Sequence, residues 1–564
     1  MKKMLLALSL TGALFTSVGS WAEESATVQT PVATSTIASF QPASVEFGLG
    51  ETAVSATDIQ SVVDYAKANP DAKFKLSGYV DSTGDAETNK KIAKDRAENV
   101  KAALVAAGVA DANIELQKPD DIVAGDENSS RKVEITLADD TSAPIAATSD
   151  EAATAEAAPA EEEAKAPLDK ADTMLIFVST ALVLFMTLPG LALFYAGMVR
   201  RKNVLSTMMY SFGSAAVVSV VWVIIGYSIA YGEGNAFMGD FSKIMLAGIS
   251  SDTVDGIPEI IDVIFQMTFA IITVAIISGS VAERMKFSAF LIFSALWVVL
   301  VYAPICHWVW GGGWLGSDGA LDFAGGTVVH INSGVAGLVA AYMIGKRMGL
   351  GKESMAPHNL TLTLVGASIL WVGWFGFNGG SAYAADGTAG MALVVTQVAA
   401  AAAALSWLAA ERIVRGKGSA LGAASGAIAG LVVITPAAGF VTVGGGLVMG
   451  LIGGVVCFWA VTGLKRLLKA DDALDAFGLH GIGGIVGALL TAVFASEFIM
   501  GSDAPASVMT QLWIQIKGVV ATIVYSGVLT FIILKVIDLV VGIRAEVDDE
   551  RMGLDLSQHG ERVE

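Results

Sequence analysis

The sequence predicts an all-α polytopic membrane protein of eleven transmembrane helices, arranged as a 5+5 inverted repeat plus one and preceded by a small α/β domain. Three observations predict it. The 564-residue chain is 54% hydrophobic but only 16% charged, too apolar for an ordinary soluble protein. From Ala171 to Ile543, apolar runs recur at roughly the 20-residue length that spans a hydrocarbon core. Inside two of these runs, His330 and His480 each open the pattern H-x3-G-x2-G, which suggests two matched halves contributing one histidine each to a shared path. An ionisable side chain at membrane depth is costly unless it faces a bundle interior or a partner, so both are candidates for function.

Residues 1–22 read as a signal peptide. Lys2 and Lys3 precede a short apolar run, Met4 to Phe15, and Ser20-Trp21-Ala22 fits a small-x-small cleavage site. A Thr/Val/Ala/Ser lead-in covers 23–39. Residues 40–138 form the α/β domain, with strands expected at 44–47, 73–80 and 132–137 and helices at 56–69 and 86–108. Residues 139–170, rich in Ala, Glu, Thr and Pro, read as a disordered linker. Between Glu23 and Lys170 there are 28 Asp/Glu against 13 Lys/Arg, which argues against nucleic acid and against anionic lipid as partners of this segment.

The spans of 171–543 are expected to begin near Ala171, Ser211, Glu259, Ser288, Val328, Leu360, Met391, Leu421, Gly444, Leu479 and Ile514. Basic residues cluster at 200–202, 284–286, 346–352, 412–417 and 465–469, and the alternate loops hold few, Lys243 being the clear exception. By the positive-inside rule the basic loops are cytoplasmic. With eleven spans the N-terminus then lies outside, in agreement with the signal peptide, and the tail 544–564 lies inside. Cys306 and Cys457 sit in apolar runs without metal-ligand neighbours and read as packing residues, so neither a disulfide framework nor a metal is expected.

Within the exported domain, GYVDSTG at 78–84, Asn89, Asp95-Arg96-Ala97 and RKVE at 131–134 resemble the OmpA-like peptidoglycan-binding family. The resemblance implies that Asp81 and Arg96 hold the diaminopimelate of a cell-wall stem peptide. A guanidinium beside a carboxylate suits a zwitterionic ligand, since arginine takes a carboxylate through two parallel hydrogen bonds. Val80 and Ser130 depart from the family pattern, where a Thr or His and an Asn are usual.

From Ala171 onward the chain resembles the Amt/Mep/Rh ammonium transporter family. The resemblance rests on DFAGGTVVHIN at 322–332, GWFGFNGGS at 373–381, DAFGLHG at 475–481, WVWGGG at 308–313 and the tail segment GLDLSQHGE at 553–561. It implies an outer ammonium-recruiting site of Phe269, Trp310 and Ser381, with Asp322 supporting that site without binding substrate. Phe269 and Phe377 are implied as a stacked gate, Trp374 as a lining residue, and His330 with His480 as a facing imidazole pair. The chemistry is coherent, because a cation over an aromatic ring gains about 0.5–2 kcal/mol. Each neutral imidazole offers one donor and one acceptor. Asp475, five residues before His480, reads as a helix N-cap.

The resemblance further implies an inner-membrane homotrimer, no cofactor, no enzymatic activity, and a PII-type signalling protein as partner of the charged tail. Competing readings are an ammonium sensor acting through such a partner, or a tether between cell wall and membrane.

Overall fold

The computed structural model describes residues 43–47, 54, 59–69, 72–78, 86–117, 132–137, 168–250, 253–254 and 256–563. The signal peptide, the lead-in, nearly all of the linker, Asp81, Val80 and Ser130 lie outside the described residues. The chain divides into two compact units, Met1–Ala158 and Pro159–Glu564.

The described residues of the first unit form a four-stranded sheet carrying two helices. Its elements are β1 (Ala43–Glu46), α1 (Gln60–Ala68), β2 (Phe74–Gly78), α2 (Ala86–Ala106), β3 (Ile114–Gln117) and β4 (Lys132–Leu137). The strand order is β1-β4-β2-β3, with β4 antiparallel to both neighbours and β2 parallel to β3. Alternation along the strands builds the core. Phe74, Leu76, Val133 and Ile135 are buried on one face, where Val62, Val100 and Leu104 of the helices cover them. The edge strand β3 was not expected from the sequence. Both helices end one or two residues earlier than expected.

The second unit contains the eleven expected spans: Lys170–Met198, Arg201–Tyr231, Glu259–Val281, Phe287–Ser317, Gly326–Ile344, Leu360–Gly380, Gly387–Arg415, Ala420–Ala437, Val443–Leu468, Phe477–Phe494 and Val508–Val540. The second, seventh and eleventh begin 4 to 10 residues before the expected points, because the helices continue past the apolar window into polar end turns. Both histidine-bearing spans open with a π-helical turn, Gly326–Ile331 and Phe477–Gly481. Wider turns of this kind concentrate at functional sites in helices.

The paired glycines of the H-x3-G-x2-G pattern are contact points. A Cβ on Gly334 would lie 2.3 Å from the Gly481 backbone nitrogen, and one on Gly484 would lie 2.8 Å from the Gly326 carbonyl oxygen. Small residues allow membrane helices this closeness, and here they bring the two histidine-bearing turns together.

The basic loops gather at one end of the bundle with the tail. Arg200 pairs with Glu283 at 2.9 Å, Arg347 with Asp471 at 2.8 Å, and Arg544 with Glu550 at 2.6 Å. The tail forms two short helices, Val547–Met552 and Leu554–His559. It is docked by specific bonds: Asp555 Oδ1 accepts from Ser206 N at 2.7 Å, and Gln558 Oε1 accepts from Phe287 N at 2.6 Å. Lys243, the exceptional basic residue of the opposite end, is paired with Glu259.

Candidate functional site

The third, fourth, fifth, sixth and tenth spans supply a column of rings. Trp310, half-buried at the end of the fourth span, meets the ring of Phe269 edge-on at 6.0 Å. Phe269 lies against Phe377 with centroids 4.3 Å apart and planes 32° apart. Phe377 is followed by His330 at 5.9 Å, and His330 stacks on Trp374 at 5.5 Å. His480 completes the column, its Nδ1 3.2 Å from His330 Nδ1. Phe269, Phe377, Trp374, His330 and His480 are all 3% exposed or less.

The two nitrogens at 3.2 Å allow one shared hydrogen, one ring donating and the other accepting. His330 Nε2 is buried without a protein hydrogen-bond partner, so it keeps capacity for a small hydrogen-bonding molecule. Trp374 is fixed by donation from Nε1 to Thr435 Oγ1 at 2.9 Å. A small species threading past the histidines would therefore meet ring faces and two imidazoles.

Asp322 organises the start of the His330 turn. Its carboxylate accepts from the backbone nitrogens of Gly325 at 3.1 Å, Gly326 at 2.5 Å, Thr327 at 2.8 Å and Val328 at 3.1 Å. Its backbone oxygen accepts from Trp310 Nε1 at 2.8 Å, so one residue anchors both the turn and Trp310. Burial pushes the carboxyl up to about 6, while the four backbone donors pull it back. The Ser381 hydroxyl donates to Phe377 O at 2.8 Å, which leaves its oxygen lone pairs available to accept.

Asp475 is not the cap expected from the sequence. It adopts a φ of 62° and pairs with Lys465 at 2.6 Å. Asp472 does the capping, accepting from Ala476 N at 3.1 Å and Phe477 N at 2.8 Å, with Ser280 Oγ donating to it at 2.7 Å. The physical reason is reach. The left-handed turn at Asp475 carries its side chain toward Lys465, and the residue three positions earlier faces the free N–H groups.

Sequence reasoning also missed the polar cluster of Asp262, Gln266 and Tyr383 at the Trp310 end. Tyr383 OH donates to Asp262 Oδ1 at 2.5 Å, and Gln266 Nε2 donates to Tyr383 OH at 2.6 Å. An acid within an apolar span was the available signal. In the first unit, Arg96 on α2 is 1% exposed, with its guanidinium 5.0 Å from the Phe47 ring centre. Its expected companion Asp81 lies outside the described residues.

Among the described residues no group of three or more His, Cys, Asp or Glu side chains is placed to hold a metal ion.

Comparison with known proteins identifies the family of each domain. The profile of the Ammonium Transporter Family matches residues 174–564, and that of the OmpA family matches 40–132. An ammonium transporter of Bacillus subtilis is 52% identical over 398 residues, covering 70% of this chain and 98% of the relative. One from Aquifex aeolicus is 50% identical over 406 residues, covering 71% and 94%. The crystal structure of Candida albicans Mep2 superposes with a TM-score of 0.64 at 36% identity, covering 68% of this chain and 88% of that one. A structure described as a sensor Amt protein gives 0.65 at 30% identity, covering 69% and 98%. The chain therefore belongs to the Ammonium Transporter Family and carries an OmpA-family domain ahead of its transporter domain.

Proposed function

We propose that this protein moves ammonium across the bacterial inner membrane by the path that runs from Trp310 to His480. The observation that carries the reading is the continuous buried column of Phe269, Phe377, Trp374 and His330, ending in two imidazoles 3.2 Å apart. Ammonium is recruited at the periplasmic mouth by the faces of Trp310 and Phe269 and by the Ser381 hydroxyl. A bare cation cannot enter so apolar a passage cheaply. It gives up its proton near the stacked phenylalanines, ammonia passes the histidines, and the imidazole pair offers the proton a route of its own. Asp322 supports the mouth through the backbone.

The same reading makes the transporter a homotrimer in the membrane lipid, with the docked tail as the contact for a cytoplasmic PII-type protein. The exported domain holds the peptidoglycan stem peptide through Asp81 and Arg96. Residues 1–22 are removed as a signal peptide, and residues 139–170 link the two domains.

The test is ammonium-evoked current on a solid-supported membrane with the purified full chain in liposomes, compared with His330→Ala and His480→Ala. Current abolished by both substitutions supports the path. If the wild type shows neither current nor a change of internal pH, transport is excluded and sensing becomes the better reading.

A further inference from the structure

The cluster beside the gate assigns a further role, and it rests on the transport reading above. Asp262, Gln266 and Phe269 follow one another at helical spacing along the third span, so Gln266 lies about one turn before the gate ring. Tyr383 stands two residues beyond Ser381 and adopts a φ of 56°, a left-handed conformation that a bulky residue holds only against strain. What holds it there is the bond from its hydroxyl to Asp262.

With Asp262 ionised, the hydrogen-bond arithmetic has one solution. Asp262, as a carboxylate, can only accept. It takes the single proton of Tyr383 on Oδ1 and that of Tyr227 on Oδ2 at 3.1 Å. The Tyr383 oxygen is left as an acceptor, so the Gln266 amide must turn its NH2 toward it, at 2.6 Å. Removal from water and the neighbouring Asp262 both hold the Tyr383 phenol above its ordinary range, which keeps the chain of donors in this direction. The orientation of an amide is ordinarily ambiguous, but here the network fixes it.

The consequence falls on Gln266 Oε1. Gln266 is 7% exposed, and this oxygen is buried with no hydrogen-bond partner in the protein. Phe265 closes the arrangement, set edge-on against both Phe269 at 5.0 Å and Tyr383 at 5.7 Å.

We propose that Asp262 and Tyr383 are positioning residues that lock the Gln266 amide with its carbonyl oxygen as an acceptor beside the phenylalanine gate. That oxygen takes one N–H of ammonium as the ion sheds water. Ammonium carries four donors and no acceptor, so a locked acceptor favours it, whereas a freely rotating amide would present its NH2 part of the time. Lys243 Nζ pairs with Glu259 at 2.5 Å, so the Asp262 carboxylate leaves the cluster one negative charge in excess.

The test uses the full chain in liposomes and reads current against ammonium concentration for wild type, Tyr383→Phe, Gln266→Ala and the double variant. A hydrogen bond to a charged group is worth about 1.5–3 kcal/mol, so Gln266→Ala should raise the half-saturating concentration about tenfold or more, and Tyr383→Phe, which only frees the amide to rotate between two orientations, should raise it about twofold. Maximal current should stay within about twofold, and the double variant should be no worse than Gln266→Ala, because both act on one bond. Asp262→Asn, which keeps the side chain's shape, should shift the half-saturating concentration in the same direction. Size-exclusion profiles matching wild type show that the variants are folded. An unchanged half-saturating concentration in Tyr383→Phe, additive losses in the double variant, or a fall in maximal current alone would each overturn the clamp while leaving transport standing. A wild type that moves no ammonium would overturn both.

Discussion

Replacing Asp322 by asparagine separates support of the mouth from direct contact with substrate. The carboxylate accepts four backbone N–H groups, Oδ1 from Gly325 and Gly326 and Oδ2 from Thr327 and Val328. An asparagine keeps one oxygen, so two of these buried donors would face an NH2 group. Each donor left unsatisfied costs about 1–3 kcal/mol, hence about 2–6 kcal/mol before the relief of no longer burying a charge. Asp322→Asn is expected to lower the unfolding temperature in detergent. It should also cut the maximal ammonium current at least about tenfold, because the turn carrying His330 and the anchor of Trp310 move together.

The pH dependence of Asp322 has a definite sign. Its carboxyl is raised to about 6 in the folded chain, above the value of about 4 expected when unfolded. Its contribution to stability is therefore full below about pH 4 and is lost as pH rises through about 6. Protonation nevertheless places a hydroxyl donor among four N–H donors. Wild-type current should thus decline as the outer pH falls below about 6, and Asp322→Asn should show no such step. An unchanged unfolding temperature and maximal current, with only the half-saturating concentration raised, would refute this reasoning and make Asp322 a ligand of ammonium.

Gly334→Ala should abolish current, because its Cβ would meet the Gly481 backbone at 2.3 and 2.4 Å and force the histidine turns apart. Gly444→Ala, whose Cβ meets nothing closer than 3.9 Å, should transport normally in the same assay. Arg347→Ala strands the buried Asp471 and should cost about 3–5 kcal/mol, read as a lower unfolding temperature. Burial alone would raise Asp471, yet the Arg347 fork holds it below the usual carboxylate range, so the stability due to this pair is present above about pH 4 and lost as pH falls further. The deficit of the variant should accordingly shrink on acidification. Arg96→Ala should release the purified protein from peptidoglycan sacculi in a pull-down while leaving liposome current intact, and retained binding would remove Arg96 from the wall-binding reading.

The spans were legible because membrane-length apolar runs have few alternative explanations. Their ends were less legible. The second span starts in the polar turn Arg201–Asn203, ten residues before hydropathy alone would place it. Strand β3 escaped because four residues following a long helix carry too little alternation to stand out. Phe269, Phe377, Trp374, His330 and His480 were legible through motif resemblance, and the structure brings them into one column. The Asp262–Tyr383 bond was not, since its partners stand 121 positions apart and neither residue alone distinguishes a bonded pair from a solvated acid and an interfacial aromatic.

The mistaken cap shows what internal comparison can extract. Aligning the two halves on their histidines places Asp322 eight residues before His330 and Asp472 eight residues before His480, giving D-x7-H-x3-G-x2-G twice. Both acids accept several backbone N–H groups at the start of a π-helical turn, and both turns carry a buried imidazole into the same contact. A glycine four residues after each histidine then meets backbone near the other histidine's turn. Asp475 lies out of this register, and its pairing with Lys465 agrees. The repeat thus encodes a local device, an acid that fixes a widened turn, an imidazole on that turn, and a glycine that admits the opposite turn. Two copies facing each other suffice to set the two nitrogens 3.2 Å apart.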